Sequence, residues 1–136
     1  MILSTSDVKG TCFIETKNLD GETNLKQKQA SKGLIPLCKN KQEISHLSLL
    51  YSYEKPNAYL YNFSGIIKLP NGKLEPLNAN NVILRGCTLR NTKFIYGIVS
   101  YTGHCCKIML NSQKTRLKNS RVEIKTNTMI NYIFFT

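Results

Sequence analysis

Acidic residues are scarce in this 136-residue chain: 8 Asp and Glu stand against 19 Lys and Arg, a formal net charge of +11. The only aspartates are Asp7 and Asp20, too few for most two-metal phosphoryl-transfer sites, which gather several carboxylates. The only histidines, His46 and His104, lie far apart in sequence, so a metal site has little to build on. The five cysteines, Cys12, Cys38, Cys87, Cys105 and Cys106, form no Cys-x-x-Cys pair, and their odd number suggests neither a disulfide framework nor a zinc site. Reduced thiols of a cytosolic protein are the simpler reading. A phosphate-cradling P-loop is excluded, because Gly72-Lys73 runs into Leu74 and Ile67 stands where an earlier glycine is required. The serine-hydrolase elbow and the helical His-Glu-x-x-His are missing too. Met1 leads into Ile-Leu-Ser-Thr-Ser, without the basic region and apolar stretch of a secretory signal. The longest apolar run, around Met129 to Phe135, falls well short of the roughly 20 residues that span a bilayer.

What the chain does have is enough apolar content, 41%, for a packed core of one domain. Its positive charge favours polyanions, either nucleic acid or the anionic face of a membrane. The lysines are spread from Lys9 to Lys125, so charge alone does not choose between these partners and ordinary surface lysine.

Local patterning reads as short strands with frequent turns. Thr11 to Lys17 alternates, with Cys12, Ile14 and Thr16 facing one way, as a half-buried strand does. Asp20-Gly21 forces a turn, since glycine accepts positive φ and Asp bonds its own backbone. Thr23 to Ala30 is expected to form a short helix capped by Thr23, and Gln42 to Tyr51 a second helix through Ile44, Leu47, Leu50 and Tyr51. Tyr59 to Leu69 and Lys73 to Leu77 are expected as strands joined at Pro70-Asn71-Gly72. Further short strands are expected at Val82–Leu84, Thr88–Leu89 and Phe94–Tyr101, with a helical turn at Lys107 to Asn111. These elements suggest a compact β roll or sandwich with a small helical insertion.

The most informative stretch is Cys12-Phe13-Ile14-Glu15-Thr16-Lys17-Asn18-Leu19-Asp20-Gly21-Glu22-Thr23-Asn24-Leu25-Lys26. It resembles the actuator-domain segment of the phospholipid-transporting P-type ATPases, the lipid flippases, whose loop reads Asp-Gly-Glu-Thr where cation pumps usually show Thr-Gly-Glu-Ser. Four residues alone are a weak signal; the flanking Glu-Thr-x-x-Leu and Asn-Leu-Lys strengthen it. Further motifs follow in the family's order: Pro56-Asn57, Leu60-Tyr61-x-Phe63-x-Gly65, Leu84-Arg85-Gly86-Cys87-x-Leu89-Arg90-Asn91-Thr92 and Gly97-Ile98-Val99-x-Tyr101-Thr102-Gly103. Val122-Glu123 and Asn127 resemble the exit toward the third transmembrane helix. Residues 27–55 lack clear correspondence. His104-Cys105-Cys106-Lys107 departs from the family's Asp-Thr-Lys after the late Thr-Gly. Asp7-Val8-Lys9-Gly10-Thr11 faintly echoes the phosphorylation sequence of these pumps but lacks its Lys-Thr pair, and Asp7 is assigned to a turn.

The resemblance implies a mainly β fold, a distorted jelly-roll-like actuator domain over residues 1–126, complete or short of its N-terminal strands. It also implies a helical insertion at 25–51 and, at 127–136, the truncated start of a transmembrane helix. In a full-length pump, an aspartyl phosphate formed on another domain would be hydrolysed by a water that Glu22 orients and activates, coupled to lipid flipping. Gly21 would allow close approach to the phosphoryl group, Thr23 would donate a hydrogen bond near it, and Asp20 would fix the turn. Arg85 and Arg90 are expected as structural ion partners, and the seven tyrosines mainly as core or rim packing. Mg²⁺ and ATP would be bound by the phosphorylation and nucleotide domains and not by this segment, which is expected to be inactive alone. Its place would be the cytosolic face of a membrane, with the other pump domains, the phospholipid and an accessory subunit as partners and without nucleic acid. Two alternatives stand beside this reading: a basic β-barrel that binds nucleic acid, and a non-catalytic regulatory protein derived from an actuator. The leading reading requires Glu22 to be held out on the bend. A Glu22 folded inward and neutralised by a lysine or arginine contradicts it.

Overall fold

The computed structural model describes residues 1–113 and the backbone of two later strands, Lys125–Met129 and Tyr132–Phe135. The fold is mainly β. Three antiparallel sheets contain β1 (Ile2–Thr5), β2 (Thr11–Glu15), β3 (Lys26–Gln29), β4 (Ser48–Tyr53), β5 (Gly65–Lys68), β6 (Leu74–Leu77), β7 (Thr88–Arg90), β8 (Ile95–Ile98), β9 (Lys125–Met129) and β10 (Tyr132–Phe135). The helices are short: α1 (Lys17–Asp20), α2 (Lys41–Ser45) and α3 (Lys107–Gln113).

The sheet β1-β8-β10 is the central layer. β8 is buried at every position, as its apolar run Ile95-Tyr96-Gly97-Ile98 requires of a strand covered on both faces. β1 divides its side chains between two clusters. Leu3 joins Tyr96 and Ile98 in packing against Leu49, Tyr51, Ile67 and Leu77, whereas Ile2 joins Ile95, Cys12 and Ala30. One face of the central layer thus meets the sheet β6-β5-β4-β9, and the other meets the sheet β3-β2-β7. Gly97 makes the close β1–β8 approach possible, because a Cβ there would lie 2.7 Å from the Met1 carbonyl oxygen.

Several expectations hold. β2 buries Cys12 and Ile14, and Thr16 beyond it is buried on the same side. β5 and β6 form the hairpin expected around Pro70-Asn71-Gly72, with Leu69 and Lys73 closing it at 2.9 Å. α3 begins at Lys107 as expected. Asp7 sits in a turn, accepting from the Lys9 amide at 3.1 Å and from the Thr11 hydroxyl.

Other expectations are corrected. Thr23 to Ala30 is not a helix: Lys26–Gln29 is β3, paired with β2. Helix-favouring side chains yield there to a ladder partner, since local propensity is a weak prior against tertiary pairing. The second helix stops at Ser45, and Ser48–Tyr53 is instead a strand that buries Leu49 and Tyr51 by period-two alternation. The 25–51 insertion is therefore only partly helical. Val82 to Leu84 is not a strand but follows a 3-10 turn capped by Asn78. Tyr59 to Ser64 is a loop, and its strand begins at Gly65. β9 and β10 occupy much of 127–136, where the start of a transmembrane helix is expected; the backbone there is extended and pairs with β4 and β8. Among the described residues no helix is long and apolar enough to cross a membrane.

Candidate functional site

The Asp20-Gly21-Glu22-Thr23 loop lies in the connection between β2 and β3. β2 ends at Glu15, and Thr16 precedes the single helical turn α1. That turn closes on Gly21 at φ +75°, whose N–H donates to the Lys17 carbonyl at 2.9 Å. Positive φ is the region glycine enters without a Cβ penalty, and here it turns the chain outward after Asp20. Beyond the adjoining stretch of chain, no heavy atom lies within 4 Å of where a Gly21 Cβ would be, so the backbone on that side is open.

Asp20 organises the bend. Its carboxylate accepts from the Thr16 hydroxyl at 3.0 and 3.1 Å, from the Glu22 amide at 3.0 Å and from the Tyr61 hydroxyl at 2.9 Å. Lys26 Nζ stands 3.4 Å away. The Glu22 amide, followed by Tyr61, Thr16 and Lys26, holds the Asp20 carboxyl down to about 2.

Glu22 points outward: its side chain is 56% exposed. It is not folded in, but it does have a cation, since Lys26 Nζ lies 3.0 Å from its Oε2. The lysine thus stands between two carboxylates, and its bond to Glu22, more than its bond to Asp20, raises its pKa. Lys26 opens β3 opposite Ile14, which anchors its backbone in the sheet. Thr23 is exposed beside Glu22. Gly21, Glu22 and Thr23 therefore share one exposed tip, with Asp20 half-buried beneath them.

Two distant segments converge on this connection. Tyr61 belongs to the loop between β4 and β5, and its ring lies 5.2 Å from Lys26 Nζ. Leu19 packs against Gly86, where a Cβ would meet its Cδ2 at 3.1 Å. Three stretches singled out in the sequence thus meet at one place. The sequence alone gives Lys26 no role at the site and Tyr61 only the packing role expected of the tyrosines. The four-residue spacing of Glu22 and Lys26 is a signal for their pairing, whereas nothing local links Tyr61 to Asp20.

The remaining candidates lie elsewhere. Arg90 pairs with Glu15 at 2.9 Å across β2 and β7, the structural role expected of it. Arg85 is exposed and donates a long hydrogen bond to Cys106 Sγ at 3.9 Å, so among the described residues it is not the ion partner expected. Among the described residues no group of three His, Cys, Asp or Glu side chains could hold a metal ion.

No family model matches the chain. It is 44% identical over 140 residues to the phospholipid-transporting ATPase DNF2 of Saccharomyces cerevisiae, covering 98% of this chain and 9% of that protein. The phospholipid-transporting ATPase C887.12 of Schizosaccharomyces pombe is 44% identical over 98% of this chain and 11% of its own length. The human phospholipid-transporting ATPase VA is 46% identical over 93% of this chain and 8% of its own length. The chain therefore spans about a tenth of the curated relatives it matches, and nearly all of it is homologous to one segment of the phospholipid-transporting ATPases.

Proposed function

We propose that this segment, related to the phospholipid-transporting ATPases, is their actuator domain, and that Glu22 activates the water that hydrolyses an aspartyl phosphate on another domain. The observation that carries the reading is the outward Glu22 on a glycine-permitted bend whose other carboxylate, Asp20, is fully engaged in holding the bend.

The chemistry follows from what the tip presents. A water oxygen attacks the phosphorus, the bond from phosphorus to the aspartyl oxygen breaks, and the carboxylate leaves on the partner domain. The water proton passes to the Glu22 carboxylate, and inorganic phosphate is released. Positioning contributes most in such a displacement, because the protein must hold the nucleophile in line and tolerate the phosphoryl charge. Gly21 lets the backbone come close, and Thr23 supplies a hydroxyl beside it. The ion pair of Lys26 with Glu22 does not block this role. Exposed pairs contribute only about 0–1 kcal/mol, so phosphoryl oxygens can take the lysine from Glu22 at small cost.

ATP and Mg²⁺ would be held by the phosphorylation and nucleotide domains. The described residues of this segment offer neither a P-loop nor a cluster of metal ligands. The segment would lie at the cytosolic face of a membrane. Its partners would be the other pump domains, the phospholipid and an accessory subunit, and nucleic acid would not be among them.

The test uses a full-length yeast pump in which this chain replaces the matching segment. Glu22→Gln should let phosphoenzyme form from ATP and then persist, whereas the unsubstituted pump turns over. Normal decay in that variant overturns the role of Glu22. The purified chain alone should hydrolyse no ATP.

A further inference from the structure

Tyr61 is an exposed aromatic residue, at 56%, so burial contributes little to holding it in place. Among the described residues, its hydrogen bond and its cation–π contact are both with the loop. The hydroxyl donates to Asp20 Oδ2 at 2.9 Å, and the ring faces Lys26 Nζ at 5.2 Å from its centroid. Both partners touch Glu22: Asp20 Oδ1 accepts the Glu22 amide at 3.0 Å, and Lys26 pairs with the Glu22 carboxylate at 3.0 Å. Tyr61 therefore acts on Glu22 from two sides through other residues.

The loop needs such support. α1 is one turn of four residues, too short to be stable by its own hydrogen bonds. The loop as a whole carries two carboxylates, Asp20 and Glu22, with Lys26 between them, toward a phosphoryl group that is itself anionic. If the lysine strays, the loop tip becomes doubly negative and its approach is opposed. An aromatic face attracts the ammonium and keeps it near the tip even after Glu22 releases it.

We propose that Tyr61 is a positioning residue for phosphoenzyme hydrolysis: its hydroxyl fixes Asp20 and hence the bend, while its ring keeps Lys26 beside Glu22 to face the phosphoryl oxygens. This rests on the reading of Glu22 above. A misplacement of about 1 Å at such a site costs on the order of a hundredfold in rate, so a clasp at the loop's flank has a measurable effect.

The experiment follows phosphoenzyme formation and decay in the full-length pump carrying this segment. Tyr61→Phe keeps the ring and removes the hydroxyl, and should slow decay about threefold. Tyr61→Ala removes both and should slow it about tenfold. Formation from ATP should be unchanged in each. A purely structural role for Tyr61 would lower the amount of phosphoenzyme without altering the decay of what forms, so the split between the two steps separates the cases. If Tyr61→Ala yields no phosphoenzyme, the milder Tyr61→Phe decides. Decay at the unsubstituted rate in Tyr61→Phe and Tyr61→Ala, with Glu22→Gln still trapped, overturns the role of Tyr61 alone. Normal decay in Glu22→Gln overturns the reading beneath it.

Discussion

Tyr61 and Asp20, 41 residues apart, are joined by a 2.9 Å hydrogen bond that ties the β4–β5 loop to the bend between β2 and β3. Asp20 takes this bond in addition to those from the Glu22 amide, the Thr16 hydroxyl and Lys26. All of them favour its charged form, so its carboxyl is held down to about 2. A depressed carboxyl contributes stability that is present above its unfolded value, near 3.8, and is lost as pH falls through its folded value. The difference in thermal midpoint between the unsubstituted chain and Asp20→Asn should therefore be constant above about pH 5 and should close toward about pH 2. A gap that stays constant down to the lowest pH would mean that Asp20 does not organise the bend through its charge.

Much of this bend was legible in the sequence, because its determinants are local. Gly21 after Asp20 signals a turn, the alternation of Cys12 and Ile14 signals β2, and the asparagine and glycine after Pro70 signal the β5–β6 hairpin. What was not legible depends on partners far away in the chain. Lys26–Gln29 carries no β-branched residue, and it is a strand because β2 offers its edge. Leu49 and Tyr51 belong to β4 because alternate burial against Leu3 and Ile98 outweighs the helical spacing seen in Gln42 to Tyr51. Tyr61 was read as packing, and its bond to Asp20 has no local signature.

The two glycines most tied to the architecture should respond differently to alanine. Gly21 sits at φ +75° with open space around a new Cβ, so Gly21→Ala bears only the left-handed backbone penalty, about 1–2 kcal/mol. Gly97 has an ordinary φ, but its Cβ would lie 2.7 Å from the Met1 carbonyl, a backbone atom that can move only with β1. Gly97→Ala should cost about 3 kcal/mol or more, at the upper end of overpacking. Chemical denaturation of the two variants ranks them, and equal losses would refute the close β1–β8 approach.

Lys107 is the most deeply buried charged side chain among the described residues, 3% exposed. Its ammonium donates to Glu54 at 3.0 Å and to Asn57 at 2.6 Å, joining α3 to the segment after β4. The departure from the family pattern at His104-Cys105-Cys106 leaves this pair intact, and the 3-10 turn there closes through the Cys105 amide on Thr102 at 3.0 Å. Removing one partner of a buried pair leaves the other uncompensated, a loss of about 3–5 kcal/mol. Because Glu54 is partly exposed and can be hydrated, Lys107→Met should fall below that range, at about 2–3 kcal/mol. A loss below about 0.5 kcal/mol would show that the pair does not hold α3 in place.

The cysteines provide a map of which parts of the fold open. Cys12 and Cys38 are fully buried, and burial pushes their thiols up to about 11 and about 12. The thiolate is the reactive form, so both inaccessibility and protonation protect them near neutral pH. Cys105 is exposed in the turn before α3, while Cys87 is half-buried and its thiol is also raised by burial. At about pH 8, an alkylating reagent followed by peptide mass mapping should modify Cys105 first and Cys87 more slowly. Cys12 and Cys38 should react only at the rate of global unfolding, because they lie in the two core clusters on either side of the central sheet. Cys105→Ser should abolish the fast phase and leave the slow ones unchanged. Labelling of Cys12 as fast as Cys105 would mean that β2, the strand that carries the Asp20–Glu22 bend, separates from the central sheet under native conditions, and the bend would then lack the rigid base that aiming Glu22 requires.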